Sequence, residues 1–184
     1  MPNSATTPPA ALVGDGVTVP WVDGTERPYL SLDAAASTQA LPAVAERVQQ
    51  FLPWYSSVHR GAGWKSQHVT SAYEDVRAGA LRFAGRDNRD DVAVICRNTT
   101  EAINHLAYRL RRDRDDVILT TVVEHHANLL PWTRVARRRY VGCGSDGTFD
   151  VGAVAAALEG EPRPRLLAVT GASNVTGWMP TSTA

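Results

Sequence analysis

The chain has 184 residues, 43% of them hydrophobic, and its 19 basic and 19 acidic side chains cancel to a net charge of zero. That length supports one core or part of a larger one, and neutrality leaves no electrostatic footprint for nucleic acid or an anionic membrane surface. No apolar stretch reaches the length of a membrane span, and two cysteines, Cys96 and Cys143, without a Cys-x-x-Cys spacing make a reducing, cytoplasmic setting the expectation.

The first eleven residues are rich in Pro, Ala, Ser and Thr and lack the basic start and apolar centre of a leader, so residues 1–20 are expected to form a disordered tail. Residues 29–32 read as a short extended run, and Pro42 opens a helix that continues to Phe51. A polar, aromatic and Gly-rich loop is expected over 53–68. From 70 to 83 the positions Ala72, Tyr73, Val76, Ala80, Leu81 and Phe83 suit a helix, with Ser71 and Glu74 at capping-box spacing and Gly85 closing it.

The pattern then alternates: strand at 92–96, helix at 100–111, strand at 117–123, helix at 128–138, a short strand at 140–141, helix at 151–158 and strand at 166–170. Strands and helices at this pitch predict βαβ units, hence an α/β fold with a mainly parallel sheet. Arg109, Arg111, Arg112 and Arg114, interrupted by Asp113, Asp115 and Asp116, read as a solvated helix end. Arg137, Arg138 and Arg139 are expected to close a helix, where cations favour the negative end of its dipole.

Three polar segments follow the predicted strands: 97–101, 124–128 and 171–177. With parallel strands all three fall at carboxyl ends, the edge where open α/β folds build ligand sites. Asn98, Thr99 and Thr100 stand where a helix begins, so unpaired N–H groups, two hydroxyls and the positive end of the dipole suit an anion; ordinary N-capping by Asn98 or Thr99 is the competing account. A Gly-x-x-x-x-Gly-Lys loop is absent. His125 and His126 are adjacent, so they cannot aim at one metal as an i, i+4 pair does, and a metal-dependent hydrolase using them with His59 fails on spacing.

Taken in order, LDAAAS at 32–37, VHRG at 58–61, RNTTEAIN at 97–104, EHHANLLPW at 124–132, DGTFD at 146–150 and ASNVTG at 172–177 resemble the first half of a class V aminotransferase of the cysteine desulfurase type. The likeness covers about 29–180. It implies a three-layer fold, the N-terminal part of a pyridoxal-phosphate-dependent fold type I large domain, with 21–90 as an N-terminal segment carrying the substrate-entrance loop and 91–184 as an incomplete cofactor-binding domain. By the same resemblance Thr99 and Thr100 match the pair that binds the cofactor phosphate, His125 the imidazole that stacks on the pyridine ring, and Asn174 the amide that bonds the ring oxygen. His59 and Arg60 match a loop at the substrate entrance. Similar enzymes commonly carry Gly where Asn98 stands.

Pyridoxal phosphate chemistry needs a lysine for the aldehyde and an acid for the pyridine nitrogen. In similar enzymes both lie beyond the Ser-Asn-Val segment, as does the desulfurase cysteine, and the chain reaches Ala184 first. The single lysine, Lys65, lies in the loop after 58–61 and reads as an entrance-loop side chain, Cys96 as a core residue, and Cys143 as a thiol without an activating partner. The expectation is therefore a cysteine desulfurase type protein that takes an amino-acid substrate, assembles as a homodimer or with a missing C-terminal half, and does not turn over alone. The alternative expectation is a non-catalytic half-fold that acts in oligomerisation or regulation of an intact homologue.

Overall fold

The structure is a computed structural model that describes residues 10–86, 90–110, 113 and 115–180. It forms two compact units, 1–94 and 95–184, and each is taken by itself. Arg111, Arg112 and Arg114 of the first arginine cluster lie outside the described residues, as do residues 1–9 of the expected tail.

In the first unit β1 (Thr18–Pro20) pairs antiparallel with β2 (Glu26–Pro28), so the end of the segment expected to be a tail carries a ladder. Its turn is held by Asp23, whose Oδ1 accepts from the Thr25 N–H and hydroxyl at 3.0 and 2.6 Å. The run expected to be extended at 29–32 follows β2 without helix or turn, and the Tyr29 N–H donates to the Val17 carbonyl at 2.9 Å. Helix α1 (Pro42–Phe51) starts on its proline as expected, because proline has no N–H to leave unpaired in a first turn.

Helix α2 (Trp64–Phe83) begins six residues before the position expected from apolar spacing. The reason is aromatic: Trp64 and His68, one turn apart, stack with centroids 5.1 Å apart and planes within 6°. Ser66, buried behind them, donates its hydroxyl to the Ser57 carbonyl at 2.8 Å, which closes the loop onto the first turn. Gly61 permits that closure, since a Cβ there would lie 2.9 Å from the Ser66 side chain. Ser71 is consequently inside the helix and caps nothing, and the Glu74 carboxylate turns outward to other partners described below.

The second unit is built on β3 (Val117–Thr121), buried along its whole length and flanked by two parallel neighbours, β4 (Arg137–Val141) and β5 (Leu166–Ala168), in the order β4-β3-β5. Val117 pairs with Arg137 and Ile118 with Leu166, so both registers run carboxyl-edge to carboxyl-edge. Successive side chains of a strand face opposite ways, and Ile118 and Leu119 accordingly anchor two separate clusters. Ile118 packs with Ala107 of α3 (Thr99–Arg109), Trp132 and Ala168; Leu119 packs with Val141, Phe149 and Val154 of α5 (Val151–Leu158). Helices cover both faces of the sheet, which is the expected three-layer arrangement.

Two expectations are corrected. The helix predicted over 128–138 is a single turn, α4 (His126–Leu129), followed by a 3₁₀ turn at Pro131–Arg134, because Pro131 cannot donate to continue the helix. Arg137, Arg138 and Arg139 therefore lie on β4, an edge strand where charge is tolerated, and close no helix. The second correction concerns 92–96, which is not a strand: Val92 and Val94 are about 70% exposed at 71% and 69%, and the sheet order does not include them. An apolar run becomes a strand only where a ladder receives it.

Candidate functional site

The carboxyl ends of β3 and β5 are joined by Glu124. Its carboxylate, 7% exposed, accepts from the Thr121 hydroxyl at 2.7 Å, the Asn128 side-chain amide at 2.8 Å and the Thr170 backbone N–H at 2.8 Å. One buried side chain thus holds the strand that bears the histidine pair against the start of the 171–177 segment.

His125 is the N-cap of α4, and its Nδ1 accepts from the Ala127 N–H at 3.1 Å. A neutral imidazole that accepts at Nδ1 carries its proton on Nε2, so this bond sets both ring orientation and tautomer. The His126 ring is tilted 47° to it at 6.4 Å, so the two imidazoles do not stack on each other.

Asn98 is the N-cap of α3, its side chain accepting from the Glu101 N–H at 2.9 Å. Glu101 answers by accepting from the Arg97 N–H at 2.7 Å and from its guanidinium at 2.9 Å. The competing capping account therefore holds for Asn98, and it leaves the N–H groups and hydroxyls of Thr99 and Thr100 without a bonding partner among the described residues. The guanidinium and then the backbone N–H of Arg97 pull the Glu101 carboxyl down to about 2. A depressed folded pKa stabilises the helix start above the ordinary value of 4.5 and is lost as pH falls toward about 2. Amide NMR signals of the first turn of α3 are expected to show an acid step in that window, and Glu101→Gln is expected to remove it; an unchanged step in the variant would refute the assignment.

A cavity of about 430 Å³ brings Thr100 and His125 together, with Asn104, Tyr108, His126 and Arg134 in the same wall. Thr100, Asn104 and Tyr108 repeat every four residues along one face of α3, a spacing legible in the sequence that motif reading passed over. Thr99 and Asn174 do not line it. Asn174 is exposed in a turn built on buried Ser173, whose hydroxyl oxygen accepts from the N–H groups of Val175 and Thr176 at 3.2 Å each. His59 and Arg60 belong to the other unit. The side chain of Lys65 is occupied: Nζ donates to the Pro53 carbonyl at 2.8 Å.

The family description Aminotransferase class-V matches residues 30–182. The chain belongs to the class V aminotransferase family. This class V aminotransferase chain is 39% identical over 160 residues to a cysteine desulfurase of Dickeya dadantii (strain 3937), a match covering 82% of it and 38% of the relative. It also resembles the crystal structure of the cysteine desulfurase CsdA from Escherichia coli, with TM-score 0.63, 34% identity, and coverage of 81% of this chain and 39% of that one. The apo structure of the cysteine desulfurase from Thermococcus onnurineus NA1 gives TM-score 0.68 and 29% identity over 80% of this chain and 38% of the other. The chain thus spans about 38% of the first of these relatives. The three-layer α/β arrangement with its parallel sheet is that of these cysteine desulfurases, as the resemblance implied.

The residues of this class V chain fit a phosphorylated heteroaromatic cofactor. Unpartnered N–H groups and hydroxyls at the positive end of an eleven-residue helix suit a phosphate dianion, and an exposed imidazole of fixed tautomer beside them offers a flat face for a ring. Among the described residues no helix is long and apolar enough to cross a membrane.

Proposed function

We propose that this chain supplies the phosphate-binding and ring-stacking part of a pyridoxal 5'-phosphate site in a protein of the cysteine desulfurase type. The observation that carries the reading is the meeting of Thr100 at the open N-terminus of α3 with His125 around one cavity. On this reading Thr100 and its neighbour Thr99 hold the phosphate, His125 supports one face of the ring, and Asn174, which lies outside the lining of that cavity, bonds the ring oxygen. Bound pyridoxal phosphate supplies an electron sink for charge developing at the α-carbon of an amino acid. The likeness to desulfurases favours cysteine as that amino acid, and alanine plus enzyme-bound sulfur as the products of the whole protein. His59 and Arg60 front the substrate, and the whole protein is a cytoplasmic homodimer.

Lys65, the one lysine of the 184 residues, stays with the Pro53 carbonyl. The 184 residues alone accordingly hold the cofactor without a covalent bond and do not turn over substrate.

The test is titration of the full chain with pyridoxal 5'-phosphate, followed by absorbance and by the ³¹P resonance of the ligand. Thr99→Ala combined with Thr100→Ala is expected to weaken binding by roughly tenfold to a hundredfold, since bonds to a charged acceptor contribute ~1.5–3 kcal/mol each and water replaces part of the loss. His125→Ala is expected to weaken it by about tenfold through loss of the stacking face. Lys65→Ala is expected to leave both signals unchanged. Equal affinity for pyridoxal and its phosphate ester would sink the phosphate assignment.

A further inference from the structure

His59 has the only positive φ of any non-glycine residue among the described residues, at 57°. A histidine in the left-handed region is held there by its surroundings, and such positions gather where a side chain must be aimed. The surroundings here are one face of α2. Thr70, Tyr73, Glu74 and Arg77 follow the spacing i, i+3, i+4, i+7 and so share that face.

Three of them grip His59 directly. The Thr70 hydroxyl oxygen accepts from the His59 backbone N–H at 2.9 Å, the Tyr73 ring meets the imidazole edge-on at 5.8 Å, and Glu74 Oε1 lies 2.9 Å from Nε2. The fourth holds the third: the Arg77 guanidinium donates to both Glu74 oxygens at 3.1 and 3.0 Å, while its Nε donates to the Ala93 carbonyl at 2.8 Å. Backbone, ring and ring nitrogen are thereby fixed independently, and the carboxylate that fixes the nitrogen is itself fixed.

We propose that Glu74 is a positioning residue that holds the His59 imidazole as the Nε2–H tautomer and so leaves Nδ1 as a hydrogen-bond acceptor for the amino group of an amino-acid substrate. A carboxylate can only accept, so the neutral ring must carry its proton on Nε2. Nδ1 then keeps its lone pair and has no partner among the described residues. Should a substrate ammonium transfer a proton there, the N–H bond of the ammonium breaks and an Nδ1–H bond forms. The amine keeps the electron pair, and the imidazolium is compensated by Glu74 through the bond already in place. The choice of substrate rests on the reading of His59 as an entrance residue; the tautomer does not.

The experiment uses the full chain labelled with ¹⁵N-histidine and a long-range ¹H–¹⁵N correlation spectrum recorded with all imidazoles neutral. The chain has five histidines, His59, His68, His105, His125 and His126, so four serve as internal controls of folding; His59 is assigned by its disappearance in His59→Gln. Wild type is expected to show His59 wholly as the Nε2–H form. Glu74→Gln is expected to give a mixture of tautomers at His59 alone, because an amide can donate as well as accept, and Glu74→Asp is expected to restore the Nε2–H form in part. An Nδ1–H form in the wild type, or a spectrum of His59 identical in wild type and Glu74→Gln, would overturn the proposal. Failure of pyridoxal phosphate to bind the same sample would count against the cofactor reading and leave the tautomer result standing.

Discussion

Glu124→Ala is expected to destabilise the 95–184 unit by roughly 3–4 kcal/mol, measured by urea unfolding and by a fall in melting temperature of about 15–25 °C. The carboxylate is buried and accepts three hydrogen bonds, from Thr121, Asn128 and the Thr170 backbone. Its removal orphans three donors at once, while relief from burying a charge offsets part of the loss. Glu124→Gln separates the two contributions. Its carbonyl can still accept from Thr121 and Thr170, but its NH₂ meets the Asn128 NH₂ donor-to-donor. If Asn128 turns over to relieve this, the 3.4 Å bond that its Oδ1 accepts from the Trp132 indole is lost. The glutamine variant is expected to cost about 1–2 kcal/mol. An alanine variant within about 1 kcal/mol of wild type would show that the three bonds are replaced by water without loss.

Trp132→Ala is expected to cost about 3–5 kcal/mol, the range for deleting a fully buried aromatic side chain. Trp132 is 2% exposed and packs beneath the turn that follows His125, against Ala107, Ile118 and Ala168. Two of those neighbours are alanines, which cannot swing in to fill the space, so the cavity term is added nearly in full. Trp132→Phe keeps most of the volume and gives up the indole N–H, and about 1–2 kcal/mol is expected. Guanidinium titration followed by circular dichroism checks both; an alanine variant that loses less than the phenylalanine variant would contradict the packing argument.

The elements that were legible in the sequence are those whose signal is local. Pro42 marks the start of α1, Asp150 caps α5 by accepting from the Gly152 N–H at 2.8 Å, and residues 117–121 form a fully buried strand between two turn signals. The elements misread depend on something outside the window. The first turn of α2 needs the stack of Trp64 on His68 and the reach of Ser66 to Ser57, contacts that apolar spacing does not encode. The arginine triplet at 137–139 has the composition of a helix end and the position of an edge strand, and Pro131 decides between them. The run at 92–96 has strand composition and no place in the three-stranded order.

The candidate site divides along the same line. Thr100 and His125 were singled out from helix-terminus chemistry and from resemblance, and they share a cavity. The role of Glu124 was not legible, although it stands next to His125: a carboxylate beside two histidines draws attention to the imidazoles, and its partner Thr170 lies 46 residues away. Asn104 and Tyr108 were legible in principle, four and eight residues beyond Thr100 on the same helical face.

Arg139 reaches from β4 to the connection between α5 and β5, where its guanidinium donates to the carbonyls of Ala157, Gly160, Glu161 and Pro162. Every acceptor in that grasp is main chain. The clasp therefore addresses the path of the connection and ignores what the side chains are, so this stretch can drift in sequence while keeping its shape. Gly160 is the tightest point, because a Cβ there would sit 2.9 Å from the Arg139 Nη1 and would push the tip of the guanidinium aside. A single arginine thus gives evolution a permissive loop whose most constrained position is Gly160.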